Sequence, residues 1–279
     1  MRVRRAKDKR IGGNWKKIKN VDASIGIVTW KSKELLRGCL DSIVNNEWNY
    51  VYETIVVDNC SGDGSLEMVR EAYPHVRVFE NTRNEGVAPA RNRVLREGAG
   101  RYIVLLDVDT LVLPKSLDVL VKTMDQHREV AIGGPKLIYR DGRLQLSCRP
   151  YPSPLNIVIE GTFLRDYFPN SRFVKGYTME DWDHHELREV DWMYGAALIV
   201  RKGVLPEIGC FDESFFYLYE DVDFCFRAKK SGYSVMYIPE AVIVHFLERE
   251  RKGIFHSRIA DHMKSILLYL SKDYYGVLK

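Results

Sequence analysis

The chain has 279 residues, 46% of them hydrophobic and 29% charged, with a formal net charge of +4. That length suits one large α/β domain, or one with an attached subdomain, and buries a sizeable core. The composition excludes an intrinsically disordered or fibrous chain, and no run approaches the 18 consecutive apolar residues of a transmembrane helix.

The charge is uneven. Residues 1–19 hold nine Lys/Arg against the single acid Asp8, a net +8, which leaves −4 for the remainder. Residues 1–20 are therefore expected as a basic, flexible tail, of a kind attracted to an anionic membrane face or polyanion. No apolar h-region follows the charges, so the tail does not read as a signal peptide. No aromatic residue is interleaved before Trp15, so nucleic acid is not an expected partner. Cys39, Cys60, Cys148, Cys210 and Cys225 are odd in number, widely spaced and form no C-x-x-C pair. They read as free thiols in a reducing cytoplasm.

Ser24 to Thr29 (SIGIVT) is predicted as a buried strand, and Ser32 as the N-cap of a helix carrying Leu35, Leu36, Cys39, Leu40, Ile43 and Val44. Thr54 to Val57 is a second strand ending at Asp58, followed by the turn-rich loop NCSGDG. A helix over 65–72, a short strand over 76–79 and a helix over 88–98 come next. Tyr102 to Leu106 (YIVLL) is a fourth buried strand, ending at Asp107. Pro114 sits where a first helical residue belongs, ahead of Leu117, Leu120, Val121 and Met124 on one face. Strands alternating with helices predict a parallel sheet with right-handed crossovers. Acids at strand C-termini then matter, since open α/β sheets bind ligands there.

The second half is less regular, and residues 139–188 show little periodicity. Asp191 to Arg201 (DWMYGAALIVR) reads as one strand. Residues 220–231 read as a helix with acids in its first turn and bases in its last, matching the macrodipole. Residues 234–238 and 242–244 are short strands. A helix from Ser257 carries Ile259, Met263, Ile266, Leu267 and Leu270 as an apolar stripe. Such stripes usually face the core, but with the basic tail this one would suit a membrane surface.

Four groups of residues suggest chemistry. Asp107-Val108-Asp109 follows a buried strand, and alternate residues of an extended segment point the same way. Two such carboxylates converge on one hard divalent cation, which shares oxygen ligands readily with phosphates. Asp58 suits hydrogen bonding to a nucleobase or ribose, although an acid capping the next loop is the commoner reading. Glu220-Asp221-Val222-Asp223 opens a helix after the aromatic run Phe215 to Tyr219. A pocket walled by those rings would raise a carboxylate's basicity by desolvation, as a general base needs. His245 ends the apolar strand VIVH and becomes a ligand candidate only if the fold brings it beside Asp109. His184-His185 are adjacent and face opposite ways, so no metal role is assigned to them.

Taken together, SIGIVTWKS, ETIVVDNCSGDGS, NEGVAPARNRVL, YIVLLDVDT, DWMYGAALIVRK, IGCFDESFFYLYEDVDFCFR and IPEAVIVH resemble, in order and spacing, the family 2 glycosyltransferases of the GT-A fold. GGPKLIYRDGRLQLSCRPYPS further resembles their rhamnosyltransferase-like branch, many members of which carry Asn-Pro-Asp where this chain has Asp-Val-Asp. The resemblance implies an α/β fold with a Rossmann-like, mostly parallel sheet flanked by helices and an acceptor-side subdomain. It implies a domain over 21–250, with a nucleotide-binding half at 21–135, an acceptor-binding half at 136–250, and a helical extension at 251–279. It implies inverting transfer of a hexose, such as rhamnose, from a nucleotide-diphosphate sugar to a saccharide or lipid-linked acceptor, in polysaccharide or glycoconjugate synthesis. The expected cofactor is Mn²⁺ or Mg²⁺, and the expected location the cytoplasm, with peripheral contact to the membrane through the basic tail and C-terminal helix.

Site roles carried over by the resemblance are these. Thr29, Asp58, Arg91, Asp107, Asp109, Gly195 and Ala196 would bind the nucleotide-sugar. Asp107, Asp109 and His245 would form the metal site. Asp221 would be the catalytic base, with Glu220 beside it contacting the acceptor. A sugar nucleotidyltransferase is the alternative enzyme class, but TWKSKELLRG lacks the Gly-rich, basic loop expected after the first strand. A non-catalytic nucleotide-sugar-binding module would have no reason to keep Asp107, Asp109, Asp221 and His245. A processive synthase would carry Q-x-x-R-W and transmembrane helices, and neither is present in the sequence.

Overall fold

A computed structural model describes residues 20–160, 171–216, 218–247 and 259–272. Of the expected basic tail at 1–20, residues 1–19 lie outside the described residues. The first half alternates as expected: β1 (Ala23–Thr29), α1 (Lys33–Val44), β2 (Tyr52–Asp58), α2 (Ser65–Ala72), β3 (Arg77–Glu80), α3 (Val87–Glu97) and β4 (Tyr102–Asp107). Then follow β5 (Thr110–Val112), α4 (Ser116–Gln126), β6 (Val130–Ile138), β7 (Leu144–Gln145), β8 (Cys148–Arg149), α5 (Pro154–Glu160), α6 (Arg172–Thr178), β9 (Arg188–Glu189), β10 (Trp192–Met193) and β11 (Ala197–Arg201). The short α7 (Leu205–Ile208), α8 (Glu220–Lys230), β12 (Ser234–His245) and α9 (Ile259–Ser271) complete the order. No described helix is long and apolar enough to cross a membrane.

The sheet order is β3-β2-β1-β4-β11-β6-β12-β5, with β7 on β6 and β9 on β12. β1 pairs in parallel with both β2 and β4, β2 with β3, and β12 with β6. β11 is antiparallel to both β4 and β6, so β6 and β12 point the same way as β1, β2 and β4. The C-terminal ends of these strands therefore share one edge. β1 lies between β2 and β4, the reversal of strand order at which such sheets hold ligands.

Alternation along the strands sorts side chains into a core on each face. Ile55, Val57, Ile103 and Leu105 join α3 and α8 in one core; Val56, Val104 and Leu106 join α1, α2 and α4 in the other. Gly26 in β1 allows α3 to pack closely: a Cβ there would stand 2.1 Å from Val94 Cγ1.

Several expected elements differ. Pro114 is not the first helical residue; it precedes Lys115, whose φ of +67° separates it from the helix. The run 191–201 breaks into β10 and β11, because Gly195 lies in a turn between them and β10 pairs instead with β8 in a second small sheet. The two strands expected over 234–244 are one, β12, irregular between Ile238 and Val242 where it passes Pro135 and Lys136. β6 has no counterpart among the expected elements. Its Gly133-Gly134-Pro135 lowers strand propensity, yet a Cβ at Gly133 would stand 2.9 Å from both Ile199 and Ile238 side chains, so the close packing demands glycine. The C-terminal helix begins among the described residues at Ile259; Ser257 lies outside them.

Gly26→Ala should lower stability by about 1–3 kcal/mol through overpacking, and Val94→Ala in the same chain should recover part of that loss. Urea midpoints of the single and double variants measure both, and additive losses would contradict the contact.

Candidate active site

The C-terminal ends of β1, β2 and β4 deliver Thr29, Asp58 and Asp107 to one edge, with Thr29 in register with Asp58 and Val28 with Asp107. Thr29 is buried and its Oγ1 has no hydrogen-bond partner. Asp58 is also buried. Its Oδ2 accepts from the Ser61 N–H at 2.9 Å, and its Oδ1 from the Ser61 hydroxyl. It thus caps the following loop, and each oxygen keeps a lone pair. Asn59 donates to the Gly86 carbonyl at 2.8 Å and accepts from Asn81 at 2.8 Å, joining that loop to the start of α3.

Arg91, on the buried side of α3, is the centre of the cluster. Its Nη2 donates to Asp107 Oδ1 at 2.7 Å and to the Gly195 carbonyl at 2.7 Å; its Nη1 donates to Glu220 Oε1 at 3.2 Å. Gly195 is glycine for a steric reason: a Cβ there would stand 2.5 Å from Arg91 Nη1. Its N–H donates to Asp221 Oδ2 at 2.9 Å, while Ala196 supplies the carbonyl that accepts from the Asp107 N–H at 2.8 Å. The turn that splits the expected long strand thus fixes Arg91, Asp107 and Asp221 at once.

Glu220 and Asp221 open α8. The two residues before them, Leu218 and Tyr219, have φ of +64° and +70°, a region bulky side chains rarely adopt. Tyr219 is held there against Tyr269 of α9, ring centroids 5.1 Å apart. Of the expected aromatic wall, Phe215 is buried in the core and Phe216 is 42% exposed beside Gly86, while Tyr217 lies outside the described residues. Glu220 is buried and its Oε2 is unpartnered. Burial, then the neighbouring Asp221 charge, raises the Glu220 carboxyl above its ordinary range, with Arg91 opposing. Burial also raises Asp221, against the hydrogen bond from Gly195.

Asp107 and Asp109 do converge, though not by strand alternation. β4 ends at Asp107, and Val108-Asp109 form a turn into β5. His245 ends β12, which pairs with β5 so that His245 lies opposite Thr110. Its Nε2 is 3.6 Å from Asp109 Oδ1, and one ligand atom each of Asp107, Asp109 and His245 lies within 4.8 Å of the others. His245 Nδ1 is 2.7 Å from Gln145 Oε1. With Nδ1–H donating to that amide oxygen, the Nε2 lone pair faces the carboxylates. Two carboxylate oxygens and an imidazole nitrogen suit a borderline divalent ion such as Mn²⁺ better than the all-oxygen preference of Mg²⁺. Asp107, Asp109, Glu220 and Asp221 together exceed the single charge of Arg91, so the cluster favours a cation.

Every residue assigned from the sequence therefore lies at this edge or braces it. Gln145 is the contributor the sequence reading missed, since it is 100 residues from His245 and no local pattern couples them. His184 is buried, edge-on to Trp182 with ring centroids 4.1 Å apart, and takes no part in the cluster.

A family model described as glycosyl transferase family 2 matches residues 24–181. The N-acetylglucosaminyl-diphospho-decaprenol L-rhamnosyltransferase of Mycobacterium tuberculosis is 28% identical over 233 residues, covering 80% of this chain and 75% of that protein. A low-salt glycan biosynthesis hexosyltransferase of Haloferax volcanii is 23% identical over 218 residues, covering 77% of this chain and 64% of that one. The solved structure of a mannosyltransferase from Pyrobaculum calidifontis in complex with GDP-Man and Mn²⁺ has a TM-score of 0.59 at 20% identity, covering 91% of this chain and 66% of its own. The chain thus spans just under two-thirds of the last two proteins, and the structural likeness speaks for the fold.

Arg91→Ala leaves the buried Glu220 without its cation and should cost about 3–5 kcal/mol, read from urea midpoints at neutral pH; a loss near zero would contradict the hub. Glu220→Gln tests the raised carboxyl. A carboxyl whose folded value is raised penalises the fold fully above that value and not at all below its unfolded value near ~4.3. The melting temperature of Glu220→Gln relative to the parent should therefore rise from pH 5 to pH 8, and a flat or falling difference would contradict the assignment.

Proposed function

Because the chain belongs to glycosyl transferase family 2, we propose that it transfers a hexose, rhamnose foremost, from a nucleotide-diphosphate donor to a hydroxyl acceptor with inversion. The observation that carries this reading is the single hydrogen-bonded chain from Asp107 through Arg91 and Gly195 to Asp221, with Asp109 and His245 alongside. It supports the reading because it joins, at one sheet edge, carboxylates that could hold a cation and one that could serve as a base, as a transfer from a diphosphate requires.

Asp221 is the base. It is half-buried, whereas Glu220 is buried against Arg91. The Gly195 N–H orients its carboxylate, and desolvation raises its proton affinity toward the working range of a general base. It takes the acceptor's hydroxyl proton as that oxygen forms its bond to the anomeric carbon. The bond from that carbon to the diphosphate oxygen breaks on the opposite face, and its electron pair leaves with the nucleoside diphosphate. Glu220 acts through Arg91, holding the guanidinium against Asp107 and the Gly195 carbonyl. Asp58 and Thr29, whose buried hydroxyl is unpartnered, would bind the nucleoside end. A divalent cation held by Asp107, Asp109 and His245 would offset charge on the departing diphosphate.

The Mycobacterium relative's name specifies a sugar-diphospho-lipid acceptor, and we carry that acceptor class to this chain as part of the proposal. Residues 1–19 and α9 are proposed to hold the protein at the membrane face where such acceptors lie.

Asp221→Asn should cut transfer by about 10²–10⁴-fold while nucleotide-sugar binding stays within about twofold, measured by initial rates and calorimetry; full activity would exclude the base. Asp109→Ala should abolish the Mn²⁺-dependent part of the melting-temperature rise given by the true donor in a nucleotide-sugar panel. An unchanged Mn²⁺ response would exclude the ligand.

A further inference from the structure

We propose that the cavity between α5 and α6 is the subsite that takes the phosphate and proximal lipid chain of the acceptor. This rests on the transferase reading and adds a place and residues for the half of the reaction that the acidic cluster does not explain.

The cavity has a volume of about 480 Å³ and is lined by Pro150, Asn156, Arg172, Phe173, Gly176 and Tyr177. Its lining is mixed: two rings, a proline and a glycine beside one amide and one guanidinium. Arg172 is exposed and has no ion-pair partner among the described residues. Phe173, next to it, is 64% exposed, and Leu155 on the packed neighbour α5 is 52% exposed. Large side chains left in water beside an unpaired cation match a ligand with an apolar chain and an anionic head.

The cavity is coupled to the catalytic edge by two rings and one buried cation. The Arg149 guanidinium lies 5.8 Å from the ring centroid of Tyr177, which lines the cavity, and 5.1 Å from that of Tyr194. Arg149 is buried and its partners are neutral: the carbonyls of Leu146, Cys148 and Thr178, and the Tyr194 hydroxyl at 2.8 Å. No carboxylate pairs with it among the described residues, so its charge is met by neutral dipoles alone. Tyr194 directly precedes Gly195, whose N–H holds Asp221. An acceptor with its chain over Phe173 and Leu155 and its phosphate between Arg172 and the field of Arg149 would extend its sugar past Tyr194 toward Asp221. The cationic side of this passage also keeps the anionic acceptor away from the four carboxylates.

Farnesyl diphosphate is a suitable probe, with the full chain in EDTA so that the diphosphate cannot reach the acidic site through a cation. The parent should bind it at least about tenfold more tightly than farnesol or inorganic diphosphate. Arg172→Glu and Phe173→Ser, both exposed positions, should each weaken it at least about tenfold, with nucleotide binding and melting temperature unchanged. Absence of binding by the parent, or equal binding by the variants, would overturn the proposal. So would equally tight binding of anionic phospholipid vesicles lacking isoprenoid, lost in the same variants, which would make the patch a general membrane surface. None of these outcomes touches the base assignment, which Asp221→Asn tests by sugar transfer.

Discussion

One buried guanidinium holds the site together. Arg91 reaches Asp107 at the end of β4, Glu220 at the start of α8 and the carbonyl of Gly195 in the turn before β11. These three segments are far apart in sequence and meet only because β11 inserts antiparallel beside β4. Placing a charge in a low-dielectric interior is costly, and here two carboxylates and a carbonyl in fixed geometry offset that cost. The same bonds explain why residue 195 has no side chain and why Asp221 is aimed by a backbone N–H.

The arrangement divides electrostatic labour. One positive charge among four carboxylates leaves the sheet edge negative, which suits a divalent cation and, through it, a diphosphate. Desolvation keeps Glu220 and Asp221 more basic than carboxylates in water. The strained backbone at Leu218 and Tyr219, held by Tyr269, fixes the helix start at which both acids sit. Lys272, at the end of α9, extends this support by pairing with Asp212 at 2.6 Å and with Asp223 of α8 at 2.7 Å.

The parallel half was legible in the sequence because its signals are local. SIGIVT, ETIVVD and YIVLLD are short apolar runs ending in polar residues, separated by helical spacing, and each appears as a strand. Asp58, Asp107, Asp109, Asp221 and His245 stand at ends of elements, so knowing the elements located them. What was not legible depends on distant packing. The Gly-Gly-Pro of β6 looks like a breaker until Ile199 and Ile238 are seen against it. The strand break at Gly195 is set by Arg91, 104 residues away, and the orientation of His245 by Gln145, 100 residues away. From its own sequence neighbourhood Asp58 reads more readily as a loop cap than as a ligand, and in the fold it caps Ser61.

The central claim is spatial: the cation-binding side chains and the basic carboxylate occupy one cleft. Paramagnetic broadening by Mn²⁺ in amide-resolved NMR spectra of the full chain reads that placement directly. The account predicts that substoichiometric Mn²⁺ broadens the amides of Val108, Phe246, Gly195 and Val222 together, leaves those of α2 sharp, and loses this effect in Asp109→Ala. Broadening centred elsewhere, or confined to Val108 and Phe246 with Gly195 and Val222 sharp, would contradict it.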